Sequence, residues 1–397
     1  MKVLHVTNKP IYPTNDGGRL AMMRLLQNML HLGYEVKNLT IETPKHPFKQ
    51  EEFPEDVMNK IQAEAVFIDT RVRFYRVFLS LFSAKSYQVR RFYKKSFEER
   101  LISTLREDDY DLVILESAFL LSYLKAIRAN SDARILVRTH NVEYKLWRQA
   151  IKKERSIFKR FYYRKLANTM KRFELKYLNR VDGILSITVQ DHDFFKRRGI
   201  KTPMTVIPVH MEPNNDYEVD YDNPDFCFVG SMNWKPNYEA VKWIIKEIGP
   251  ELYKILPEAR IHIAGSNMSR SMKKLKSKNL VIHGRVKDTR EFISKHGTMI
   301  VPLKSGSGVR IKILEALGVG VPIISTDKGK EGIGIHTKKH FLSANMVEEF
   351  LVQMKFLYKS KEERIRLGNN GREFIREDYG LNKISEKLSA FISKKIL

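Results

Sequence analysis

A glycine-rich loop with basic residues lies between a predicted strand and a predicted helix in the second half of the chain. The segment reads Val301-Pro-Leu-Lys-Ser-Gly-Ser-Gly-Val-Arg-Ile-Lys-Ile-Leu-Glu-Ala-Leu-Gly318. Such a loop leaves backbone N–H groups unpaired at the positive end of the helix dipole, which makes it an anion site. Lys304, Arg310 and Lys312 add formal charge there. The segment therefore predicts a diphosphate site.

Helix geometry limits which of these side chains act together. Arg310 and Lys312 lie about 200° apart on a regular helix, so both face one phosphate only if Arg310 is in the opening turn. Lys312 and Glu315 share a face. The Glu315 carboxylate can accept hydrogen bonds from both hydroxyls of a ribose, as acidic residues do in dinucleotide sites. The alternative is a plain loop with a solvated basic face and an intrahelical Lys312–Glu315 pair.

Other predicted strand ends also carry residues that suit a ligand. Gly230, in Phe228-Val-Gly-Ser-Met-Asn-Trp-Lys-Pro-Asn237, allows close approach of the backbone to a diphosphate, and Lys235 adds charge. In the first half, Gly17 and Gly18 follow the first predicted strand and precede a helix. A Gly-Gly pair by itself is often only a turn. The prediction of a ligand contact here therefore depends on the position of the pair at the carboxyl edge of the sheet.

A histidine ends another predicted strand, in Arg138-Thr-His-Asn-Val-Glu143. His140 can donate or accept a hydrogen bond with a hydroxyl group near neutral pH. Glu143 is the carboxylate expected to orient it or to act as a base. The alternative is a purely structural histidine.

The elements that position these residues alternate between strands and helices. Short β-branched runs are each followed by a stretch of helical spacing, which predicts parallel sheets in an α/β protein. A Pro-, Asn- and Asp-rich segment, 208–224, predicts a linker, so 397 residues divide into domains 1–208 and 209–378. A terminal helix in 379–397 is expected to dock on one of them, the N-terminal domain being one choice.

Composition narrows the class of protein. The chain has 71 Lys and Arg against 46 Asp and Glu, a net charge of +25, with 39 against 23 in residues 1–210. A net positive charge of this size attracts polyanions in general. The single cysteine, Cys227, excludes a disulfide framework, and we expect a cytoplasmic protein since neither a signal peptide nor an apolar run of membrane-spanning length is recognised.

Two basic helical tracts account for much of the charge. Residues 145–180 hold 13 basic and two acidic residues, and residues 71–100 hold nine and two. Aromatic and aliphatic residues recur in both at steps of three to four. These residues form an apolar stripe along each predicted helix. The stripe either lies on an anionic membrane or packs in the domain core, and in the second case the Lys and Arg side chains are exposed to solvent. Nucleic acid is not expected as a partner, because no zinc-ligand or RNA-binding signature is present.

The segment 302–325 resembles the nucleotide-sugar signature of glycosyltransferase family 4, in which a Glu is followed after seven residues by Glu-Ala and then Gly-x-Pro-Val. The order of the other segments is similar to the family as well: the Gly-Gly loop, Thr-His-Asn-Val-Glu, Phe-Val-Gly-Ser-x-x-Trp-x-Pro-Asn, and Ile-Ala-Gly before Gly-x-Val. The second Glu falls on Glu315, but Ser307 stands where the family has the first. The chain resembles a branch that replaces that carboxylate.

The resemblance implies a GT-B fold, with two Rossmann-like domains facing a central cleft, and a retaining transferase that needs no bound metal or cofactor. Donor nucleotide contacts are implied for Gly17, Gly18, Gly230, Lys235, Gly265, Arg285, Val286, Gly306, Ser307, Gly308 and Glu315. Catalytic roles are implied for His140, Arg310 and Lys312, and acceptor contacts for Asp16, Arg19 and Glu143.

The expected reaction moves a sugar from a UDP- or GDP-type donor to a hydroxyl of a glycan or lipid-linked acceptor, in polysaccharide or glycoconjugate biosynthesis. The expected place is the cytoplasm, with the inner face of the cell membrane as a second choice. An epimerase or phosphorylase on the same scaffold is the alternative, and a nucleic-acid-binding protein is the more distant one.

Overall fold

The computed structural model describes residues 1–14, 16–58, 60–71, 80, 83, 86–214, 216–274, 277–306 and 308–397. The chain divides into two compact units. Met1–Val209 and Ile384–Leu397 form the first unit, and His210–Lys383 form the second.

The first unit is built on a parallel sheet that has seven strands among the described residues, in the order β3-β2-β1-β4-β5-β6-β7. The strands are β1 Lys2–Thr7, β2 Glu35–Glu42, β3 Ile61–Phe67, β4 Leu112–Glu116, β5 Arg134–Thr139, β6 Gly183–Ser186 and β7 Met204–Val206. The helices are Gly17–His31, Glu55–Met58, Tyr87–Phe92, Lys95–Glu107, Leu124–Asn130, Glu143–Lys153, Ile157–Leu178 and Val189–Arg197, with 3₁₀ turns at Gln50–Glu52 and Ala118–Tyr123.

The central strands β1, β4, β5 and β6 are buried along nearly their whole length. Since successive residues of a strand point to opposite sides, both faces of the sheet are covered there. In β4, Leu112 and Ile114 belong to one core cluster, and Val113 and Leu115 belong to the other. The terminal helix Leu381–Lys395 contributes Ile384, Leu388, Phe391 and Ile392 to the cluster that contains Leu112. The last helix of the chain therefore covers the first sheet.

The second unit repeats the arrangement, with a parallel sheet of six described strands in the order β10-β9-β8-β11-β12-β13. These are β8 Phe226–Val229, β9 Ile261–Ala264, β10 Leu280–Gly284, β11 Thr298–Val301, β12 Ile323–Ser325 and β13 Leu342–Ser343. The helices are Lys235–Trp243, Gly249–Ile255, Arg270–Lys273, Thr289–Ser294, Ile311–Val319, Asp327–Lys330, Val347–Lys359 and Lys361–Phe374, with π turns at Ile244–Ile248 and Ile375–Tyr379.

The predicted α/β class with two Rossmann-like parallel sheets is confirmed. The helical region after β8 begins at Lys235 and contains a π turn at Ile244–Ile248, and the side chains of Ile244 and Ile248 are fully buried. The two-residue strand β13 has too short an apolar run to be recognised from sequence.

The apolar stripe of the helix Ile157–Leu178 divides between core and solvent. Leu166, Met170 and Leu178 are fully buried. At the other end, the side chains of Ile157, Phe158 and Phe161 are 78%, 89% and 64% exposed. In the second basic tract, residues 72–79, 81, 82, 84 and 85 lie outside the described residues. In the described part of the chain, no helix is long and apolar enough to cross a membrane.

We expect Leu388→Ala to destabilise the first unit by about 2–5 kcal/mol, because it leaves a cavity beneath the terminal helix. Leu388 is fully buried, whereas Glu386 on the same helix is exposed, so Glu386→Ala is the matched control. Urea unfolding followed by circular dichroism measures both. Equal midpoints for the two variants would contradict the packing of this helix on the first sheet.

Candidate donor and hydroxyl-binding sites

Strand order reverses between β8 and β11 in the second sheet, and the crevice at the carboxyl ends of such strands is where ligands bind in open parallel sheets. Gly230 directly follows β8, and the glycine-rich loop follows β11. Gly265 follows the neighbouring β9. The topology therefore brings three of the predicted donor segments to one edge of one sheet.

Lys312 is held at this edge by two acceptors. Its ammonium donates to the carbonyl oxygen of Val229 at 2.6 Å and to Oδ1 of Asn237 at 2.7 Å. It also lies 4.2 Å from the centre of the Phe228 ring. Residues of β8 and of the following helix thus fix a cation that belongs to the helix Ile311–Val319.

Burial, together with the charge of Arg310, lowers the pKa of Lys312 to about 7. Glu315 is half-buried one turn further along the same helix, and its charge raises the pKa of Lys312. The ammonium is therefore close to losing its proton at neutral pH. An anion bound beside it would restore the charge.

Arg310 precedes the helix rather than lying within its opening turn, since the helix begins at Ile311. Its guanidinium is buried and donates to the carbonyl oxygens of Gly308 and Lys328. The Nη2 atom lies 3.9 Å from Glu331 Oε2. Among the described residues, its Nε is buried without a hydrogen-bond partner.

The loop before the helix is packed against Trp234. Gly306 has φ of +109°, and a Cβ there would lie 2.8 Å from the indole, so the site requires glycine. The Trp234 ring also lies 5.5 Å from the Arg310 guanidinium, which makes it a packing residue of the loop. Gly308 has φ of +78°. Ser307 lies outside the described residues.

Lys304 and Lys235 each contact a side chain of the helix Lys235–Trp243. Lys304 places its ammonium 3.4 Å from the centre of the Trp243 ring, and its contribution to the charge at the predicted diphosphate site stays a prediction. A cation–π contact holds this ammonium over the aromatic ring. Lys235 lies 3.8 Å from Glu239, whose carboxylate also accepts from the Ser305 hydroxyl at 2.7 Å.

Gly230 and Gly265 let two strand ends meet. A Cβ at Gly265 would overlap the carbonyl oxygen of Gly230, and a Cβ at Gly230 would lie 2.6 Å from the Asn237 amide and 2.8 Å from the Lys312 ammonium. Beyond β10, Arg285 is exposed and Val286 is half-buried against the core of the unit. These glycines serve the close packing of the strand ends.

In the first unit, the reversal of strand order lies between β1 and β4, and Glu116 is the last residue of β4. His140 Nε2 donates to Glu116 Oε2 at 2.6 Å, and His5 Nε2 donates to Glu116 Oε1 at 3.1 Å. His140 thereby keeps Nδ1 as the nitrogen with a lone pair. One fully buried carboxylate fixes the tautomers of both rings.

Burial by itself would raise the pKa of Glu116, but Arg138 and the hydrogen bonds from His140 and His5 hold it well below its usual range. Arg138 Nη1 lies 3.4 Å from Glu116 Oε1 and donates to the carbonyl oxygen of Ala21 at 2.6 Å. Sequence reasoning assigned Glu116 no role. A charged residue that ends the apolar run Leu-Val-Ile-Leu-Glu was the signal that could have found it.

The prediction that Glu143 orients His140 is wrong, because Glu116 is the carboxylate bonded to that ring. Glu143 begins the next helix, and its backbone amide donates to Glu174 Oε1 at 3.1 Å. Burial, and then the nearby Asp191, raise the pKa of Glu143 to about 7. Its acceptor contact stays a prediction.

Asp16 caps the helix Gly17–His31. Its Oδ1 accepts from the amides of Gly18 and Arg19 at 2.9 and 3.0 Å and from the Lys9 ammonium at 2.7 Å. Arg19 is buried and donates to the carbonyl oxygens of Tyr12 and Pro13, both at 3.1 Å. A phosphate at this helix end would have to displace a carboxylate of the chain itself, so ligand contacts by the Gly-Gly loop stay predictions.

Residues 223–360, which include the Lys312 site, match the family described as glycosyl transferases group 1. An uncharacterized 44.6 kDa protein in the cps region of Klebsiella pneumoniae is 24% identical over 396 residues, 96% of this chain and 97% of that protein. Sucrose-phosphate synthase from Thermosynechococcus elongatus superposes with a TM-score of 0.71 at 13% identity, over 99% of each chain. Anabaena HepE in complex with UDP superposes with a TM-score of 0.68 at 11% identity, over 99% of this chain and 100% of that one.

The fold is GT-B. The group 1 match supports a place for this GT-B chain in the glycosyltransferase superfamily. It falls on the unit whose strand ends hold Lys312, whereas Glu116 and His140 belong to the other Rossmann-like unit of the GT-B fold.

We expect Glu116→Gln to destabilise the protein by about 3–5 kcal/mol, since it removes the charge that compensates Arg138 in a fully buried pair. Glu107→Gln is the control, because Glu107 pairs with Arg100 at the surface of the same unit. Its effect should be small, since solvent screens exposed pairs. Thermal unfolding compares the two, and a small loss for both variants would contradict a structural charge at Glu116.

Proposed function

We propose that the chain transfers a glycosyl group from a UDP- or GDP-type sugar donor to a hydroxyl of a glycan or lipid-linked acceptor, with retention of configuration. In this proposal it is a family 4 enzyme in which Ser307 replaces the first Glu of the signature. The observation that carries the proposal is the Lys312 ammonium, held at the strand-order reversal by the Val229 carbonyl and Asn237. The second unit binds the donor and the first binds the acceptor.

Lys312 and Arg310 bind the donor diphosphate and neutralise it as it departs, which is the task of a divalent cation in other transferases. Support comes from the buried Nε of Arg310, which has no hydrogen-bond partner in the described part of the chain, and from the start of the helix at Ile311. Unpaired amides at a helix start attract anions. No metal is needed at the diphosphate in this proposal.

Glu315 accepts the ribose hydroxyls, because it lies one helical turn beyond Lys312 on the same face. Arg285 and Val286 contact the base from the turn after β10, where the exposed arginine and the half-buried valine offer one polar and one apolar surface. The glycines at 230, 265, 306 and 308 belong to the loops that contact the donor in this proposal.

In the first unit, His140 binds a carbohydrate hydroxyl through Nδ1. Its side chain is 19% exposed, and Glu116 holds Nε2 as the protonated nitrogen. A fixed tautomer of this kind orients a hydrogen bond without the entropy loss of freezing a free ring. Glu116 is then a positioning residue, since it acts through His140.

Donor affinity should weaken as pH rises from 6 to 9, by at most about tenfold per pH unit above 7, because Lys312, with a pKa of about 7, loses its positive charge. Isothermal titration calorimetry with UDP-, GDP- and ADP-sugars measures the affinity. Sugar nucleotides suit this test, since neither of their phosphates titrates near neutral pH. Lys312→Arg keeps its charge throughout and should give a flat profile.

Glu315→Ala in the same titrations should weaken donor binding and move the pH dependence to lower pH, because the Glu315 charge raises the pKa of Lys312. Glu251→Ala is the control, because Glu251 lies in the same unit and pairs with Lys254 at the surface. A panel in which no sugar nucleotide binds would refute the transferase proposal. Equal affinities for wild type and Glu315→Ala would remove only the ribose contact.

An exposed apolar patch supports a place at the inner face of the cell membrane. Ile157, Phe158 and Phe161 lie on the first turns of one helix, and Arg155, Lys159, Arg160 and Arg164 are exposed around them. Aromatic residues among cations suit an anionic lipid surface, where the rings enter the headgroup layer. We propose that this patch brings the enzyme to lipid-linked acceptors in polysaccharide biosynthesis, and the cps-region relative supports that role.

The paired change Phe158→Ser and Phe161→Ser should reduce binding to phosphatidylserine-containing liposomes at least about tenfold, because each ring loses its burial in lipid. Val352→Ser with Phe356→Ser is the control, since these side chains are exposed on a helix of the other unit. Co-sedimentation at physiological salt measures binding. If the aromatic variant sediments like wild type, charge alone drives the association and the apolar patch is not a membrane contact.

A further inference from the structure

Three histidines from separate segments converge on one side of the second sheet. His262 lies on β9, His283 lies on the edge strand β10, and His296 follows the helix Thr289–Ser294. One side-chain nitrogen from each lies within 4.8 Å of the others. The rings of His262 and His296 are 4.2 Å apart, centre to centre.

Hydrogen bonds to the remaining nitrogens set the tautomers of two of these rings. His262 Nε2 donates to Asp225 Oδ2 at 3.2 Å, and His296 Nδ1 donates to the Phe292 carbonyl oxygen at 2.7 Å. Nδ1 of His262 and Nε2 of His296 therefore carry lone pairs. His283 Nε2 lies 2.9 Å from that His262 nitrogen. A carboxylate behind His262 and a carbonyl behind His296 match the arrangement that surrounds metal-bound histidine in proteins.

Asp225, the carboxylate behind His262, is itself held by the backbone. Its Oδ1 accepts from the Arg260 amide at 2.9 Å, and its Oδ2 faces His262 Nε2. The hydrogen-bond partner that orients the His262 ring is therefore fixed in place.

We infer that His262, His283 and His296 bind a divalent transition metal of the Zn²⁺ type. Imidazole nitrogen suits zinc, whereas Mg²⁺ and Ca²⁺ prefer oxygen. A tetrahedral zinc site with Zn–N bonds of about 2.05 Å separates its nitrogens by about 3.3 Å. The His262–His283 contact opens slightly on binding, and the exposed His283 ring moves toward His296. Water takes the fourth position.

This site is separate from the proposed diphosphate site, and its role is to tie down an edge strand. The metal would join β10 to β9 and to the segment that leads into β11. His283 directly precedes Gly284, whose carbonyl accepts from the Gly265 amide at 2.6 Å. The bound metal therefore stiffens the strand end from which Arg285 and Val286 extend.

The test uses the full-length protein without a histidine tag, after chelator treatment and desalting. Zn²⁺ at a hundredfold excess over its Kd should raise the Tm by roughly 5–10 °C, while Mg²⁺ should not. Co²⁺ should bind with a stoichiometry of one and give the intense visible absorption of a four-coordinate site. No Zn²⁺-dependent shift, or the weak spectrum of six-coordinate cobalt, would overturn the proposal.

Variants assign the ligands. His283→Asn, at an exposed position that tolerates substitution, should weaken Co²⁺ binding more than about 100-fold, since loss of a ligand exceeds the roughly 10–100-fold cost of losing an outer partner. Asp225→Asn should weaken Co²⁺ binding by that smaller factor, because the Asn side-chain oxygen still accepts a hydrogen bond from the Arg260 amide. His336→Asn, an exposed histidine elsewhere in the unit, is the control. Equal Co²⁺ affinities in His283→Asn and His336→Asn would overturn the assignment.

Discussion

The contact between the Lys312 ammonium and the Val229 carbonyl organises the second unit's strand ends. It joins the start of one helix to the last residue of β8, at the point where strand order reverses. The contact places a cation beside the loop after β11, and it brings Asn237 and Gly230 around the same atom. Because the ammonium is buried among neutral acceptors, its proton is weakly held. Charge at this position therefore depends on what binds next to it.

The first unit places the opposite charge at the corresponding position. Glu116 ends β4 beside β1, and two histidines and an arginine surround it. Parallel strands whose order reverses leave a gap between adjacent crossover connections, and polar side chains at the strand ends can meet there. Both units use that gap, one with a lysine and one with a glutamate, and in each case the charged group is compensated by its own unit. The compensation explains how such groups persist in sheets that are apolar on both faces.

The surface adds two features that are unrelated to the strand-order reversals. The aromatic residues at the start of the helix Ile157–Leu178 are exposed, while the same helix buries its other end. The histidine cluster lies on the flank of the second sheet, where β10 is the edge strand among the described residues. In the two proposals above, the aromatic residues anchor the first unit to a membrane, and the histidines anchor the edge strand β10.

Local pattern alone determined the α/β class, most of the strands and the glycine-rich loop, because period-two and period-3.6 spacing and the glycine positions are properties of neighbouring residues. Glu315 could likewise be related to Lys312 from helix spacing. The tertiary structure decided which groups meet across the sheet. It paired His140 with Glu116 rather than Glu143, turned Lys304 onto Trp243, and assembled His262, His283 and His296 from three segments. Those pairings depend on strand order and register, which bring together residues distant in the chain and leave no periodic signal in it.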